Sequence, residues 1–482
     1  MDSSASTARS GGIVTVLAVA GIVAALMQTL VVPLIGDLPR IFDTSASNAS
    51  WVITITLLVA AVATPITGRL GDLLGKRRML LLCTVPLVLG SVTCALATSL
   101  APMVIGRGLQ GLGMGMVPLG ISALRELVPP QKLGSSIALM SATMGIGGAL
   151  GLPIAAAVIE NTSWRALFWG CAVLSVLIGA LIWRLVPATP AMATGGFDFV
   201  GALGLGVGLV SLLLAVSKGA VWGWGSASIL GLFAAAVIVL LAWGWWELHT
   251  SDPLVNLRVT AGRQVLLTNA ASVVVGFSMY AQSLIIPQLL QLPESTGYGL
   301  GQSMLAMGLW MAPGGLVMMA VSPIGAKLSA VRGPKVTLFV GALIIAVGYG
   351  SSMLLMGSTW GLLLVVCICS VGTGFAYGTM PALIMSAVPL SETGSANSFN
   401  TLMRSIGTSV AAAVVGVVLA QMSVDVGGHT MPTEAGFRTG LLIGCGVALI
   451  AAAIASAIPG RKAVASTRPV AADAEEKVAS TA

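Results

Sequence analysis

Long apolar runs separated by short polar segments recur along this chain, and they limit its fold more than any other feature. Only 8% of the 482 residues are charged, whereas charged residues make up about a quarter of a typical soluble protein. Crossing the hydrocarbon core of a bilayer takes about 20 apolar residues in a helix that satisfies its own backbone hydrogen bonds. The runs have that length, so the sequence predicts an all-α integral membrane protein.

The apolar runs predict fourteen transmembrane helices. Their expected bounds, in chain order, are 12–36, 51–67, 79–97, 102–124, 134–158, 165–186, 199–217, 227–247, 266–290, 302–323, 336–356, 360–385, 398–421 and 437–459. The first run is too long for a removable signal peptide and lacks its basic flank and cleavage site, so we interpret it as a span. The 60 glycines fit a bundle in which small residues let helices approach closely.

The basic residues indicate how these helices are oriented. Most of the 23 lysines and arginines fall in segments on one side, Arg404 counted among them, and the positive-inside rule assigns that side to the cytoplasm. Both chain ends are then cytoplasmic, with residues 1–11 as the N-terminal segment. The tail over 460–482 is rich in alanine and charge and is expected to be disordered. We expect the protein in the cell membrane.

Composition argues against several other classes of protein. Both histidines fall in predicted loops and the six cysteines lie almost entirely in apolar runs, so we expect no metal site, disulfide framework or cofactor. The basic residues form no patch with aromatic side chains, which disfavours a nucleic-acid partner. No nucleotide-binding loop of the G-x-x-x-x-G-K-[ST] type occurs, so ATP is not expected as the energy source.

A tight turn between the second and third spans carries an acid and a basic cluster. Residues 68–78 read GRLGDLLGKRR, in which Gly68 and Gly75 permit the turn and Asp72 precedes Lys76 and Arg77. The carboxylate of Asp72 is placed to cap a helix N-terminus or to pair with a nearby cation, although an ordinary basic loop is the alternative. A weaker echo over 325–335 lacks the acid and suggests an internal repeat.

Arg107 lies inside the fourth predicted span. Its spacing from Gln110 and Met114 places the three on one helical face, while Gly111 and Gly115 form a contact of the small-xxx-small type. An arginine in a span costs roughly 2.5–3.5 kcal/mol on insertion scales, so its side chain must face protein or water. Two interpretations remain open: hydrogen bonds to backbone carbonyls of the first helix, or a role in coupling or gating.

These segments resemble the motifs of the major facilitator superfamily. Residues 68–78 are similar to its loop G-x-L-x-D-x-x-G-[KR]-[KR], and residues 107–113 to its motif R-x-x-Q-G-x-G. The fifth span resembles the Gly-Pro motif of its antiporters around Gly151 and Pro153, but Leu152 separates these two and alanines follow the proline. Further features resemble the fourteen-span drug:proton antiporter branch, and they are Phe197-Asp198, Trp222-Gly223-Trp224, Pro253-Leu254, Asn400, Arg404 and Gly407.

The resemblance implies a major facilitator fold and a transport function. Two six-helix bundles are expected over 12–186 and 266–459, with two additional helices inserted over 199–247. The implied function is secondary active export of hydrophobic or amphipathic small molecules, drugs and antibiotics included, in exchange for protons, by a protein that acts as a monomer in the lipid bilayer. Uptake or facilitated release of a metabolite by the same fold is the alternative. An integral membrane enzyme is disfavoured, since no catalytic constellation is apparent.

The chain departs from that branch in the first span. Where the branch usually carries an aspartate, this sequence has Gln28, and none of its sixteen acids lies in the middle of a predicted span. The remaining candidates for proton coupling or gating are Arg107, Asp72 in the loop, and acids at helix ends such as Asp37 or Glu126. Multivalent cations should then be poor substrates, because burying two positive charges without an anion is costly.

Polar, polarizable and aromatic residues within apolar spans are the candidates for a central substrate cavity. The predicted set is Met27, Gln28, Arg107, Gln110, Tyr280, Trp310, Tyr377 and Asn400.

Overall fold

A computed structural model describes residues 2–34, 37–426 and 429–459 of the chain. Met1 and the predicted disordered tail over 460–482 lie outside the described residues. Thirteen of the described helices are long and apolar enough to cross a membrane. Because their backbone groups are paired within each helix, they satisfy the condition for a stable span in lipid.

The first half of the chain forms six spans from nine helices. These are α1 (Asp2–Thr29), α2 (Leu38–Ile41), α3 (Ala46–Ala49), α4 (Trp51–Leu74), α5 (Lys76–Ala95), α6 (Leu100–Gly113), α7 (Met116–Leu127), α8 (Pro130–Asn161) and α9 (Trp164–Leu185). The α2 and α3 helices are single turns in the connection between α1 and α4. We call this part, α1 to α9, the first half.

The inserted pair and the second half follow. The inserted pair is α10 (Phe199–Trp222) and α11 (Ala227–His249), and a short α12 (Leu257–Thr260) leads into the next helix. The second half consists of α13 (Arg263–Gln291), α14 (Met304–Arg332), α15 (Pro334–Leu355), α16 (Thr359–Ala387), α17 (Thr393–Gln421) and α18 (Glu434–Ala457).

The fourth span is interrupted, which the apolar pattern over 102–124 did not predict. The α6 helix ends at Gly113 and α7 begins at Met116, with a turn between them. At Gly115 a Cβ would lie 2.7 Å from the Thr67 side chain, so only glycine lets this turn approach α4 so closely. Together α6 and α7 cover 100–127, and with the thirteen long helices they account for fourteen crossings.

A short β-hairpin is a second departure from the all-α expectation. The β1 strand (Ser423–Val426) pairs antiparallel with β2 (His429–Pro432), so that Ser423 lies opposite Pro432. It connects α17 to α18 at the end of the bundle opposite the 68–78 loop. We call the end that carries this loop the motif end, and the opposite one the far end.

The internal repeat suggested by the two loops is visible in the backbone. Gly75 lies between α4 and α5 with φ 88°, and Gly333 lies between α14 and α15 with φ 90°. Both occupy a region that side-chain-bearing residues rarely adopt, so the same turn is made at corresponding places in the two halves.

Each half has its own apolar interior, and the inserted pair contacts both halves. Leu205 and Trp243 of the pair belong to one buried cluster with Leu58 of α4 and Phe399 of α17. The outward faces of α11, including Ile238 and Leu241, are exposed apolar surface, as expected for helices surrounded by lipid.

Candidate functional site

The two halves are joined at the motif end through Asp72. Its carboxylate Oδ1 accepts a hydrogen bond from Gly394 N at 2.9 Å, and Oδ2 accepts one from Ser395 N at 2.8 Å. These amides belong to the first turn of α17, whose N–H groups have no partner within the helix, and the helix dipole favours an anion there. Asp72 is 0% exposed, so both hydrogen bonds are made out of contact with water.

Lys76 holds the same carboxylate from the first half and is itself paired with a second acid. Lys76 Nζ lies 3.1 Å from Asp72 Oδ1 and also donates to Glu126 Oε1 at the end of α7. Lys76 and Glu126 are both buried in the interface, as is Asp72. We call Asp72, Lys76, Glu126 and the first turn of α17 the latch. It consists of one cation between two carboxylates, one of which is shared with the opposite half.

Other contacts close the motif end around the latch. Asn397 Nδ2 donates to Pro118 O at 2.7 Å, and Arg125 Nη1 donates to Val388 O at 3.0 Å. A Cβ built at Gly68 would lie 2.5 Å from Gly394 O, so α4 and α17 are in backbone contact there. The structure therefore shows the state in which the motif end is shut.

The segment that leads from the first half to the inserted pair covers the back of the latch. Met192 N and Ala193 N both donate to the backbone carbonyl of Asp72, at 3.0 and 3.1 Å. Arg77 N, in the basic cluster of this loop, donates to Thr189 Oγ1 at 3.0 Å. Asp72 is thus held through its carboxylate by α17 and through its backbone carbonyl by the segment over 186–198.

The same segment continues into a chain of contacts that returns to α17. Gly196 N donates to Asp252 Oδ2 at 3.2 Å, beyond the inserted pair. Asn256 Nδ2 donates to Glu392 Oε1 at 2.9 Å, and Glu392 immediately precedes the first turn of α17. We call this closed circuit, from Asp72 through 192–196 and 252–256 to Glu392, the loop ring.

Arg107 is satisfied inside the first half. Its Nη1 donates to Met27 O at 2.8 Å and to Gln110 Oε1 at 2.6 Å, and its Nε donates to Val52 O at 3.2 Å. Gln110 in turn donates to Ser91 Oγ at 2.8 Å. The structure thus shows the hydrogen bond to a first-helix carbonyl, and it places Met27 and Gln110 in the interior of the first half.

These bonds lead to a prediction about stability. Arg107→Met should lower abundance and melting temperature, because Gln110 and the two carbonyls lose their donor at about 1–3 kcal/mol for each buried group left unpaired. Melting of the purified variant by intrinsic fluorescence measures this, with the exposed Arg332→Gln as control. A fully stable Arg107→Met protein that no longer transports would instead assign Arg107 to coupling.

The contacts of the other predicted cavity residues lie within one half each. Gln28 Nε2 approaches Met114 Sδ at 3.5 Å. Asn400 Nδ2 donates to Asn269 Oδ1 at 2.9 Å and to Ser272 Oγ at 2.7 Å, which links α17 to α13. Gln28 therefore lies at the break in the fourth span, whereas Asn400 bridges two helices of the second half.

The two predicted cavity aromatics nearest the far end pack within the second half. Tyr280 is partly buried against its apolar core. Trp310 Nε1 donates to Gln302 Oε1 at 3.0 Å, and its ring meets that of Trp360 edge to face at 5.0 Å between centroids. The membership of these residues in a substrate cavity stays a prediction.

Tyr377 lies against Arg404, which the sequence analysis misassigned to the cytoplasmic side. Arg404 is inside α17, with its guanidinium carbon 4.3 Å above the Tyr377 ring. Tyr377 Oη donates to Met279 Sδ at 3.0 Å. The error arose because the basic residues were assigned to sides of the membrane and Arg404 was counted with the neighbouring segment, although it falls within the span predicted over 398–421.

Asp37 lies away from the interface. It immediately precedes α2 at the far end, its side chain is 49% exposed, and its Oδ1 lies 3.4 Å from Arg40 Nη2. The role of Asp37 as a proton carrier therefore stays a prediction, and its surroundings are those of a surface ion pair.

The predicted small residues mark close helix contacts. A Cβ at Gly111 would lie 2.8 Å from Thr56 O of α4, and one at Gly308 would lie 3.4 Å from Pro153 N. Gly151 packs against the side chain of Thr29 in α1. Pro153 lies within α8 and is followed by two more turns of that helix, so the Gly-Pro segment brings α8 against both α1 and α14.

A separate apolar cavity of about 500 Å³ lies between α4, α5, α6 and α10. It is lined by residues such as Trp51, Val59, Pro86 and Leu214, and by none of the predicted cavity residues. Sequence patterns did not indicate it, because apolar side chains that line a groove are indistinguishable in sequence from those that face lipid.

The most informative residues that the sequence analysis missed are methionines and neutral amides. Met144 of α8 and Asn397 of α17 each contact the opposite half, through Arg404 and Pro118. A methionine in an apolar run carries no signal of its partner, so no pattern pointed to Met144. Asn397 precedes the predicted span over 398–421 and was taken as loop.

Two helical halves that meet face to face and are closed at one end by the latch make up an α-helical membrane protein. A model described as Major Facilitator Superfamily matches residues 17–412, and the chain belongs to this family. The family explains why the latch loop and its echo occur at corresponding positions in the two halves.

Curated relatives and a solved structure agree with this membership. An uncharacterized MFS-type transporter of Mycobacterium tuberculosis is 29% identical over 420 residues, which cover 86% of this chain but only 60% of that protein. The tetracenomycin C resistance and export protein of Streptomyces glaucescens is 28% identical over 86% of this chain and 77% of its own length. The human organic anion transporter MFSD10 has a TM-score of 0.65 at 17% identity, covering 92% of this chain and 99% of that one, and this likeness shows the fold alone.

Proposed function

We propose that this protein exports hydrophobic or amphipathic small molecules from the cell by alternating access. The observation that carries the proposal is the chemistry of the interface between the halves. Away from the latch, contacts between the halves are made by methionines. Met144 and Met318 contact the opposite half, through Arg404 and Gly145 respectively, whereas Met114 and Met279 contact Gln28 and Tyr377 within their own halves. Flexible, polarizable thioethers suit surfaces that accept many apolar shapes. The name of the tetracenomycin relative supports the same direction of transport.

The proposed orientation places the motif end in the cytoplasm, with both chain termini on that side. The lysines and arginines around the latch support this orientation through the positive-inside rule. The state with a shut motif end is then closed to the cytoplasm. Export requires the opposite state, in which the latch is broken and the substrate enters from the cytoplasm or the inner leaflet. One copy supplies both halves, so the proposed functional unit is a monomer.

We further propose that protons drive the export. A potential of about 100 mV together with one pH unit supplies about 3.7 kcal/mol per proton, enough for roughly 500-fold accumulation. The two acids of the latch, Asp72 and Glu126, have buried side chains, and the other buried acids among the described residues, Asp198 and Glu247, lie at the ends of the inserted pair. Proton exchange at the latch would couple directly to its opening, because protonation removes the charge that binds Lys76 and the first turn of α17.

A drug-susceptibility panel tests the export proposal. The chain is expressed in an efflux-deficient host, and growth inhibition by neutral, anionic and cationic compounds is measured at several external pH values. We expect resistance to rise for a subset of apolar compounds and to weaken as the external pH rises, since the proton gradient then falls. Raised sensitivity, which indicates accumulation, would favour uptake instead. A strain that expresses the Asp72→Asn variant at equal abundance is the matched control.

A further inference from the structure

Arg404 is a buried cation near the middle of the membrane. It is eleven residues from the start of α17 at Thr393, which at 1.5 Å per residue places it about 17 Å from the motif end. The residue is 6% exposed. Its guanidinium contacts Tyr377 of α16 and Met144 of α8, and these belong to opposite halves. Arg404 therefore lies where the halves meet, at the depth at which a carried molecule must pass.

The guanidinium of Arg404 is poorly satisfied. Among the described residues its recorded hydrogen bonds are both from Nη2, to Thr401 Oγ1 at 3.5 Å and to Met144 Sδ at 4.0 Å. Those distances are at the limit for a hydrogen bond, and a thioether is a weak acceptor. No ion pair to Arg404 occurs within the described ranges, so its positive charge has no protein anion to balance it.

Comparison with Arg107 shows that burial in a span does not by itself leave a guanidinium without good acceptors. Both arginines are buried in spans, but Arg107 donates to three oxygen acceptors within 3.2 Å. The amide nearest to Arg404 in sequence, Asn400, donates through Nδ2 to Asn269 and Ser272, and its Oδ1 accepts no hydrogen bond from Arg404 or any other described residue. Arg107 thus has a structural set of partners, whereas Arg404 has no comparable set of acceptors among the described residues.

We propose that Arg404 is the binding subsite for an anionic group, and that the preferred substrates are monoanionic amphiphiles. A carboxylate or sulfonate would pair with the guanidinium, which binds such groups in a bidentate manner, while the apolar body lies against Tyr377 and the methionines of the interface. One uncompensated cation balances one negative charge, so a dianion would leave a buried charge unpaired. This inference rests on the proposed export function and names its substrate class.

The charge of such a substrate also bears on the energy of export. An anion that leaves a cell with a negative interior moves down the membrane potential, which at 100 mV favours its export by about 50-fold. No carboxylate at the depth of Arg404 is needed for that contribution. The absence of the branch's usual acid at Gln28 is consistent with a carrier of anions, since a carboxylate there would repel them.

Binding of a matched pair of dyes tests the subsite. Anilinonaphthalene sulfonate and N-phenylnaphthylamine share an aromatic body, and only the first carries a sulfonate. Equilibrium dialysis of the purified full chain in lipid nanodiscs, with empty nanodiscs as the blank, gives a dissociation constant for each dye. The unmodified protein should bind the sulfonate more tightly than the neutral dye. Equal or weaker binding of the sulfonate by the unmodified protein would overturn the proposal without any variant.

Substitutions test whether the preference for the sulfonate dye depends on Arg404. Arg404→Gln should weaken binding of the sulfonate by about tenfold or more, the usual size of a lost charge-assisted hydrogen bond, and change binding of the neutral dye by less than about threefold. Arg404→Lys keeps the charge and should retain part of the preference, and the exposed Arg332→Gln should retain all of it. Equal loss for both dyes in Arg404→Gln, or an unchanged preference, contradicts the assignment.

Transport of the same dyes separates this inference from the function on which it rests. Reconstituted vesicles with an imposed potential should move the sulfonate dye faster than the neutral one. If neither dye moves although the sulfonate binds through Arg404, the export function fails and the subsite stands. If both dyes move at equal rates and Arg404→Gln alters neither, export stands and the anion subsite fails.

Discussion

Gly68→Ala is expected to reduce transport by about tenfold or more in a protein that still folds. The added methyl group would collide with the backbone of Gly394 and with Ser398, so α4 and α17 could no longer meet at the motif end. Overpacking of this kind costs about 1–3 kcal/mol and here falls on one state only, which shifts the equilibrium toward the open motif end. Initial rates of substrate efflux from reconstituted vesicles measure the loss.

Accessibility distinguishes this shift from general damage. Ser398→Cys should react faster with a water-soluble thiol reagent when combined with Gly68→Ala, since Ser398 is 0% exposed in the shut state. The control is Gly416→Ala in the same α17 helix, where an added methyl group would have no neighbour within 4 Å. Normal efflux by Gly68→Ala, or unchanged labelling of Ser398→Cys, would show that backbone contact at Gly68 is not needed for the cycle.

Asp72→Asn should also stop most transport, with abundance and melting temperature little changed. The amide keeps one acceptor oxygen, but it loses the charge that pairs with Lys76 and faces the first turn of α17. Hydrogen bonds to an ionised group are roughly twice as strong as neutral ones, so the shut state loses stability relative to the open one. We expect efflux to fall by about tenfold or more, measured at equal protein in the membrane.

A control substitution in the same half shows how much efflux is lost when a carboxylate outside the latch is removed. Glu160→Gln removes an exposed carboxylate at the far end of α8 and should leave efflux within about twofold of the unmodified rate, because exposed charges contribute little. Lys76→Met should resemble Asp72→Asn, since it leaves Glu126 without its cation as well. A fully active Asp72→Asn protein would remove the latch from the transport cycle.

The spans were predictable because their signal is one of length and composition. A run of about 20 apolar residues can satisfy its backbone in lipid only as a helix, whatever its neighbours are. The break at Gly115 and the hairpin after α17 were not predictable in the same way. The first depends on Thr67 of a different helix, and the second is four residues per strand in a segment that composition marks only as a loop.

In the candidate site, too, some residues were predictable from the sequence and others were not. Asp72 and Arg107 were found because a charge in or beside a span is costly and must have a partner nearby. Met144 and the far-end packing of Trp310 were not, since apolar residues acquire a role only through what the fold places opposite them. Arg404 combines the two cases. The cation is visible in the sequence, but only the structure showed that it forms no ion pair with a described acid.

The loop ring has a mechanical consequence for the cycle. Its bonds to the Asp72 carbonyl belong to the first half, and its bond to Glu392 belongs to the second, so separation of the halves at the motif end stretches the ring. The longest connection is the single hydrogen bond from Gly196 to Asp252, at 3.2 Å. Until one of these hydrogen bonds breaks, the loops on either side of the inserted pair hold the two halves within a limited distance at the motif end. We therefore expect these flanking loops to limit how far the protein opens at that end.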